Sequence, residues 1–224
     1  MDVVRGAQEA QSGAFAFLQP ARTHVETSIF CVSRNKGAVM KNLIVTGLAL
    51  VVSASVALAE DVKSGPQTGD RLGAFYVTKC AGAETDGVKE GKELCYRCRN
   101  SRKPQVVIFT RSTDPKVVDL IKKIDKAIAS HKAEKLTSFV NVLGDDQDEL
   151  QATAMKLAKT SGAKAIPFVV PNEFENGPAN YGINPKAAVT VILANQVDVK
   201  ANVSVKDVKE LKAEEVIANI KKIL

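Results

Sequence analysis

Gln105-Val106-Val107-Ile108-Phe109-Thr110, followed by Ser112-Thr113-Asp114-Pro115, is the stretch that decides the fold class of this chain. The first six residues form a continuous β-rich run of the kind buried on both faces of a sheet. The next four start a helix, with Asp114 as N-cap and Pro115 at the first helical position, where its missing N–H costs nothing. Val117, Ile121, Ile124 and Ile128 then recur at helical spacing and give that helix one apolar face. The alternation continues downstream. Leu136–Leu143 reads as a strand, and Asp146 with Glu149 resembles a capping box opening a second helix whose inner face is Leu150, Ala154, Leu157 and Ala158. Gly162 closes it as a left-handed cap. Ile166–Val170 reads as a third strand, Asn172–Asn180 as a loop, and Ala188–Leu193 with Val197–Val205 as a hairpin around Asn195-Gln196. Asp207–Leu224 closes the chain as an amphipathic helix with Val216, Ile217, Ile220 and Leu224 inward. The order β-α-β-α-β-β-β-α predicts an α/β three-layer sandwich. Its central mixed sheet has parallel strands first and a C-terminal antiparallel hairpin last, with helices on both faces.

Composition narrows the function classes. The 224 residues are 45% apolar and 25% charged, with Gly 14 and Pro 8, which excludes collagen-like and disordered chains. With no Trp and 5% aromatic residues, the core must rest on Val, Ile, Leu and Ala. The formal charge of +6 comes from 31 basic and 25 acidic side chains spread along the chain, so no nucleic-acid partner is expected. Lys122-Lys123 and Lys221-Lys222 fall on polar helix faces and read as solvated. Asp145-Asp146-Gln147-Asp148 reads as negative charge at a helix start rather than a cation site. The chain has no P-loop and no dinucleotide fingerprint. His131 is the one histidine after the first 59 residues, which leaves no Ser-His-Asp candidate. No cofactor is expected.

An export signal is written inside the chain. Arg34, Lys36 and Met40-Lys41 form a basic start, Leu43–Leu58 is apolar, and Ala57-Leu58-Ala59 is an A-x-A site followed by Glu60. That order predicts a secretory signal peptide over 40–59, cleaved between Ala59 and Glu60. Residues 1–39 then read as an over-extended gene start or a disordered extension, so Cys31 and His24 drop out of the functional argument. Residues 60–104 form a leading segment with a cysteine-containing loop, and 105–224 the core. The expected location is secreted or periplasmic, with no stable membrane anchor once the signal is removed.

Several local motifs carry a family resemblance. Gly65-Pro66-Gln67-Thr68-Gly69-Asp70-Arg71-Leu72-Gly73-Ala74-Phe75 resembles the opening of exported thioredoxin-like and peroxiredoxin-like proteins. Ile166-Pro167-Phe168-Val169-Val170 with Tyr181-Gly182-Ile183, and the hairpin strand Ala188–Asn195, are similar to late motifs of the peroxiredoxin branch, the alkyl hydroperoxide reductase-like proteins. The likeness covers most of 65–224 and implies a thioredoxin-like fold. It also implies a reactive cysteine just after the first central strand, where a helix N-terminus lowers a thiol's pKa. The matching stretch, Arg111–Asp119, has no cysteine, and Ser112 and Thr113 cannot cycle through sulfenic acid. No peroxidase chemistry is expected there. The proline that thioredoxins place before the antiparallel hairpin is replaced by Ala187 and Ala188.

The remaining chemistry lies in Cys95-Tyr96-Arg97-Cys98, with Cys80 upstream. A C-x-x-C pair in a thioredoxin-like chain points to dithiol–disulfide exchange with a protein thiol or disulfide partner. In that reading the more exposed sulfur attacks, the other resolves, Arg97 and Arg99 tune the thiolate, and Cys80 is a third partner. This pair, however, precedes its strand, which predicts a position at the pole opposite the family's working end. A structural disulfide from Cys80 to Cys95 or Cys98, in a non-catalytic scaffold or binding module, is the competing reading. A zinc site would need His131 to join the three cysteines, and none is expected. If the chain is an enzyme, it is of thiol–disulfide oxidoreductase type.

Overall fold

The computed structural model describes residues 62–224. The proposed extension, signal peptide and Ala59/Glu60 cleavage site lie outside the described residues. Seven strands form one sheet in the order β2-β1-β5-β4-β3-β6-β7. The strands are β1 Val77–Ala81, β2 Glu93–Leu94, β3 Gln105–Thr110, β4 Thr137–Val142, β5 Phe168–Pro171, β6 Val189–Asn195 and β7 Asp198–Val205. The helices are α1 Tyr96–Asn100, α2 Pro115–Ser130, α3 Gln147–Ser161 and α4 Ala213–Ile220. β3 pairs parallel with β4 and β4 with β5, whereas β6 and β7 add antiparallel on the other side of β3. No described helix is long and apolar enough to cross a membrane.

The local chemistry sets these elements as expected. Every residue of β3 is buried, and the Asp114 carboxylate accepts from the Lys116 amide at 2.8 Å while Pro115 opens α2. The Asp146 carboxylate accepts from the Glu149 amide at 2.9 Å, and Gly162 closes α3 at φ 63°. Both crossovers β3-α2-β4 and β4-α3-β5 step the same way across the sheet, so right-handedness puts α2 and α3 on one face. α4 joins them there. Val117, Leu120, Ile121, Ile124, Leu157, Val216 and Ile220 pack with Val106, Ile108, Val140, Phe168 and Val191 on that face. The opposite face is covered by α1 and the leading segment, through Leu72, Phe75 and Tyr96, and by the segment between β5 and β6, through Tyr181 and Ile183, over Val107, Phe109, Phe139 and Ile192. Helices therefore stand on both faces, but unequally, with a single short one on the second.

The structure corrects several boundaries. The leading segment is part of the sheet: β1 pairs antiparallel with β5 and with β2. The long terminal helix expected over Asp207–Leu224 is split into a 3₁₀ turn, Val208–Glu210, and α4. Leu211, extended and 5% exposed, anchors the chain in the core between the two. At the end of the chain Leu224, expected inward, is exposed, and Ile223 is buried in its place. β5 begins at Phe168 instead of Ile166, because Pro167 has no N–H to donate to the ladder. The hairpin turns at Gln196-Val197, one residue later than expected, with Gln196 at φ 58°.

Candidate functional site

Cys95 and Cys98 are disulfide-bonded across the first turn of α1, with Cα atoms 5.2 Å apart. Cys95 is extended and caps the helix, and its Sγ accepts from the Cys98 amide at 3.1 Å. Cys95 is half-buried and Cys98 exposed. One sulfur therefore faces solvent while the other is tied to the backbone.

A five-residue helix does not hold itself together, since its nucleus costs more than its hydrogen bonds return. Side chains fasten α1 from below. The Tyr96 ring is buried and stacks on Phe139 with centroids 5.8 Å apart, and its hydroxyl donates to Asp86 Oδ2 at 2.6 Å. Asp86 Oδ1 accepts from Lys79 Nζ at 2.8 Å and from the Val88 amide at 2.7 Å. Lys79 is 1% exposed, and its ammonium also donates to the carbonyls of Ala83 and Val88. Arg99 closes the ring by donating to the Asp86 carbonyl at 2.5 Å. Burial works to raise the Asp86 pKa, but hydrogen bonds from Lys79, Tyr96 and Val88, with the Lys79 charge, outweigh it and hold the carboxyl below its usual range. Burial, then the bond to Asp86, pushes the Tyr96 phenol upward, so it stays a donor.

Cys80 is not a disulfide partner. It is free, 3% exposed, and sits where the β1–β5 register shifts, between Lys79 and Ala81. This bulge turns it into the helix-covered face, among the residues that pack with α3, whereas Tyr96 and α1 lie on the other face. The sheet itself separates the two. Burial pushes the Cys80 thiol up to about 11, the Val170 backbone hydrogen bond opposes this, and Glu90 adds to it. A thiol in that state is inert at neutral pH.

Both flanking arginines sit beside the pair. Arg97 is half-buried with its Nε unpartnered, and its charge reaches Tyr181. Arg99 is exposed apart from its bond to Asp86. At the other candidate location, between β3 and α2, the structure places hydroxyls and a guanidinium. Ser112 Oγ accepts from the Asp114 amide at 3.1 Å, and Arg111 donates to the Glu175 carbonyl at 2.7 Å. Tyr96 packs on Phe139 of β4, on the face opposite α2, so α1 and its disulfide stand across the sheet from that helix. His131 caps the end of α2, with Nδ1 3.8 Å from Glu134. Among the described residues no three His, Cys, Asp or Glu side chains converge as metal ligands.

No protein-family model and no curated protein matches the chain. Solved structures do. A protein described as a disulfide isomerase from Bacteroides thetaiotaomicron superposes with TM-score 0.51 at 14% identity, covering 73% of this chain and 94% of its own. Mycobacterium tuberculosis AhpC gives 0.51 at 13% identity, over 70% and 96%. The hypothetical protein SMc02350 of Sinorhizobium meliloti gives 0.52 at 13%, over 72% and 87%. The fold is thioredoxin-like. On this thioredoxin-like frame the cysteines stand at the start of α1 and not at the start of α2, the end of the sheet that the sequence resemblance points to. The Lys79–Asp86–Tyr96 cluster has no sequence signal, because a turn separates Lys79 from Asp86.

Proposed function

We propose that this protein carries out thiol–disulfide exchange through Cys95 and Cys98 in an exported compartment. The observation that carries the reading is the pairing itself. The bond spans three residues at the surface and leaves Cys98 accessible, while the cysteine that could have closed a long stabilising loop is buried and free. So short a ring constrains the unfolded chain little. A partner thiolate attacks Cys98 Sγ, the Cys95–Cys98 bond breaks, and its electron pair leaves on Cys95 Sγ, where the Cys98 amide donates a hydrogen bond. A second partner thiolate attacks the mixed disulfide and releases Cys98. The partner dithiol is oxidised by two electrons, the pair is reduced, and two protons pass from partner to protein through water. The reverse direction uses the same atoms. The signal-like order of residues 40–59 supports export.

Titration through a series of redox buffers, with mass-spectrometric mapping of the thiols, tests this reading. The Cys95–Cys98 bond should reduce within the oxidoreductase range, roughly −120 to −270 mV. The melting temperature should change little on reduction. A bond that resists reduction down to about −300 mV, and whose loss lowers the melting temperature, would make it a structural staple.

A further inference from the structure

The charged residues that flank Cys98 from 97 to 103 carry one sign of charge. Arg97, Arg99, Arg102 and Lys103 fall within seven residues, and none of them takes part in an ion pair among the described residues. Of the acids nearest in sequence, Asp86 and Glu93 are already engaged, and the exposed Glu90 forms no ion pair with these cations. Both Asp86 oxygens are occupied by Lys79, Val88 and Tyr96, and Glu93 Oε1 accepts from Asn172 at 2.6 Å. Arg99 meets a carbonyl and not a carboxylate, Arg97 Nε has no acceptor, and Arg102 and Lys103 are exposed. Cys98 is exposed between the first two.

We infer that the exchange partner is a protein segment whose reactive cysteine is flanked by carboxylates. This inference rests on the exchange reading and names its substrate class. Neighbouring carboxylates raise a thiol's pKa and hold back its ionisation, and approach to uncompensated cations reverses that effect. The same cations draw an acidic segment in and repel a basic one, and salt screens both effects. Formation of the mixed disulfide at Cys98, with Cys95 leaving as thiolate, then proceeds fastest with the acidic partner.

The test uses the full chain with its pair oxidised, and three synthetic peptide thiols of equal length. Their cysteine is flanked by Glu, Gln or Lys, and glutathione serves as a small anionic thiol. Reduction of the pair is followed by mass spectrometry at low ionic strength, with rates expressed per thiolate. The Glu peptide should outrun the Lys peptide by about tenfold, and the gap should narrow at roughly 0.5 M salt. In the Arg102→Glu/Lys103→Glu protein, whose altered side chains are solvent-exposed, the gap should shrink with no change in melting temperature. Equal rates for the three peptides, with exchange intact, would overturn the inference and leave the exchange reading standing. Glutathione outrunning the Glu peptide would overturn the choice of a protein segment. No reduction by any thiol would overturn the exchange reading itself.

Discussion

Lys79 brings an ammonium into a site that is 1% exposed, and only its three acceptors make that tolerable. Asp86→Ala removes the one charged acceptor and leaves the Tyr96 hydroxyl and the Val88 amide without a partner. We expect it to cost about 3–5 kcal/mol in urea unfolding, the usual penalty for half of a buried pair. The same carboxyl lies below its unfolded value, so its contribution is present above about pH 4 and is lost as pH falls through the folded value. Asp86→Asn should therefore flatten the fall in stability below pH 4 relative to the parent protein, and parallel curves would contradict the assignment. Cys80 gives a second test. In the native protein it should resist iodoacetamide at pH 8 while the reduced Cys98 is labelled, and denaturant should abolish the difference. The C-x-x-C pair and its arginines were readable in the sequence because spacing carries that chemistry. The cluster beneath them was not, because Lys79 meets Asp86 only through a bulge and a turn that no periodicity marks.

The elements that sequence reading recovered carry their own punctuation: Asp114-Pro115 before α2, Asp146 before α3, Gly162 after it. Those it missed are held by tertiary contacts. β2 is two residues long, and β1 loses its alternation at Cys80. Gly82, just after β1, sits at φ +77°, and a Cβ there would collide with the Ile166 carbonyl and press on Phe168. Gly82→Ala should thus combine a left-handed backbone with a backbone collision and cost about 2 kcal/mol or more, against about 1 kcal/mol for Asp114→Ala at the α2 cap. Chemical denaturation of both variants checks the order. The split before α4 was equally invisible, since Leu211 keeps the helical apolar pattern while its backbone is extended.

On the scale of the whole molecule the two faces differ in how they are covered, and their opening should differ likewise. β3 is paired on both sides and buried along its full length, whereas β2 is a two-residue edge strand and α1 a five-residue helix. Hydrogen exchange should find amides of β3 and β6 the slowest and those of 93–101 among the fastest, and the reduced protein should open further at 93–101 alone. The export proposal predicts a mature N-terminus at Glu60 by N-terminal sequencing, and a secreted form keeping residues before Met40 would refute it. Gly69 and Leu72 donate to the carbonyls of Val199 and Val197, Val199 donates to Asp70, and the Ser64 carbonyl receives Asn202 and Ser204. These bonds overlay the outer side of β7, while the opposite margin ends in a strand of two residues. Neither edge offers a neighbouring copy a long ladder to extend. Proteolytic trimming of residues 62–72 should bare the edge of the eight-residue β7 and raise the tendency to edge-to-edge association.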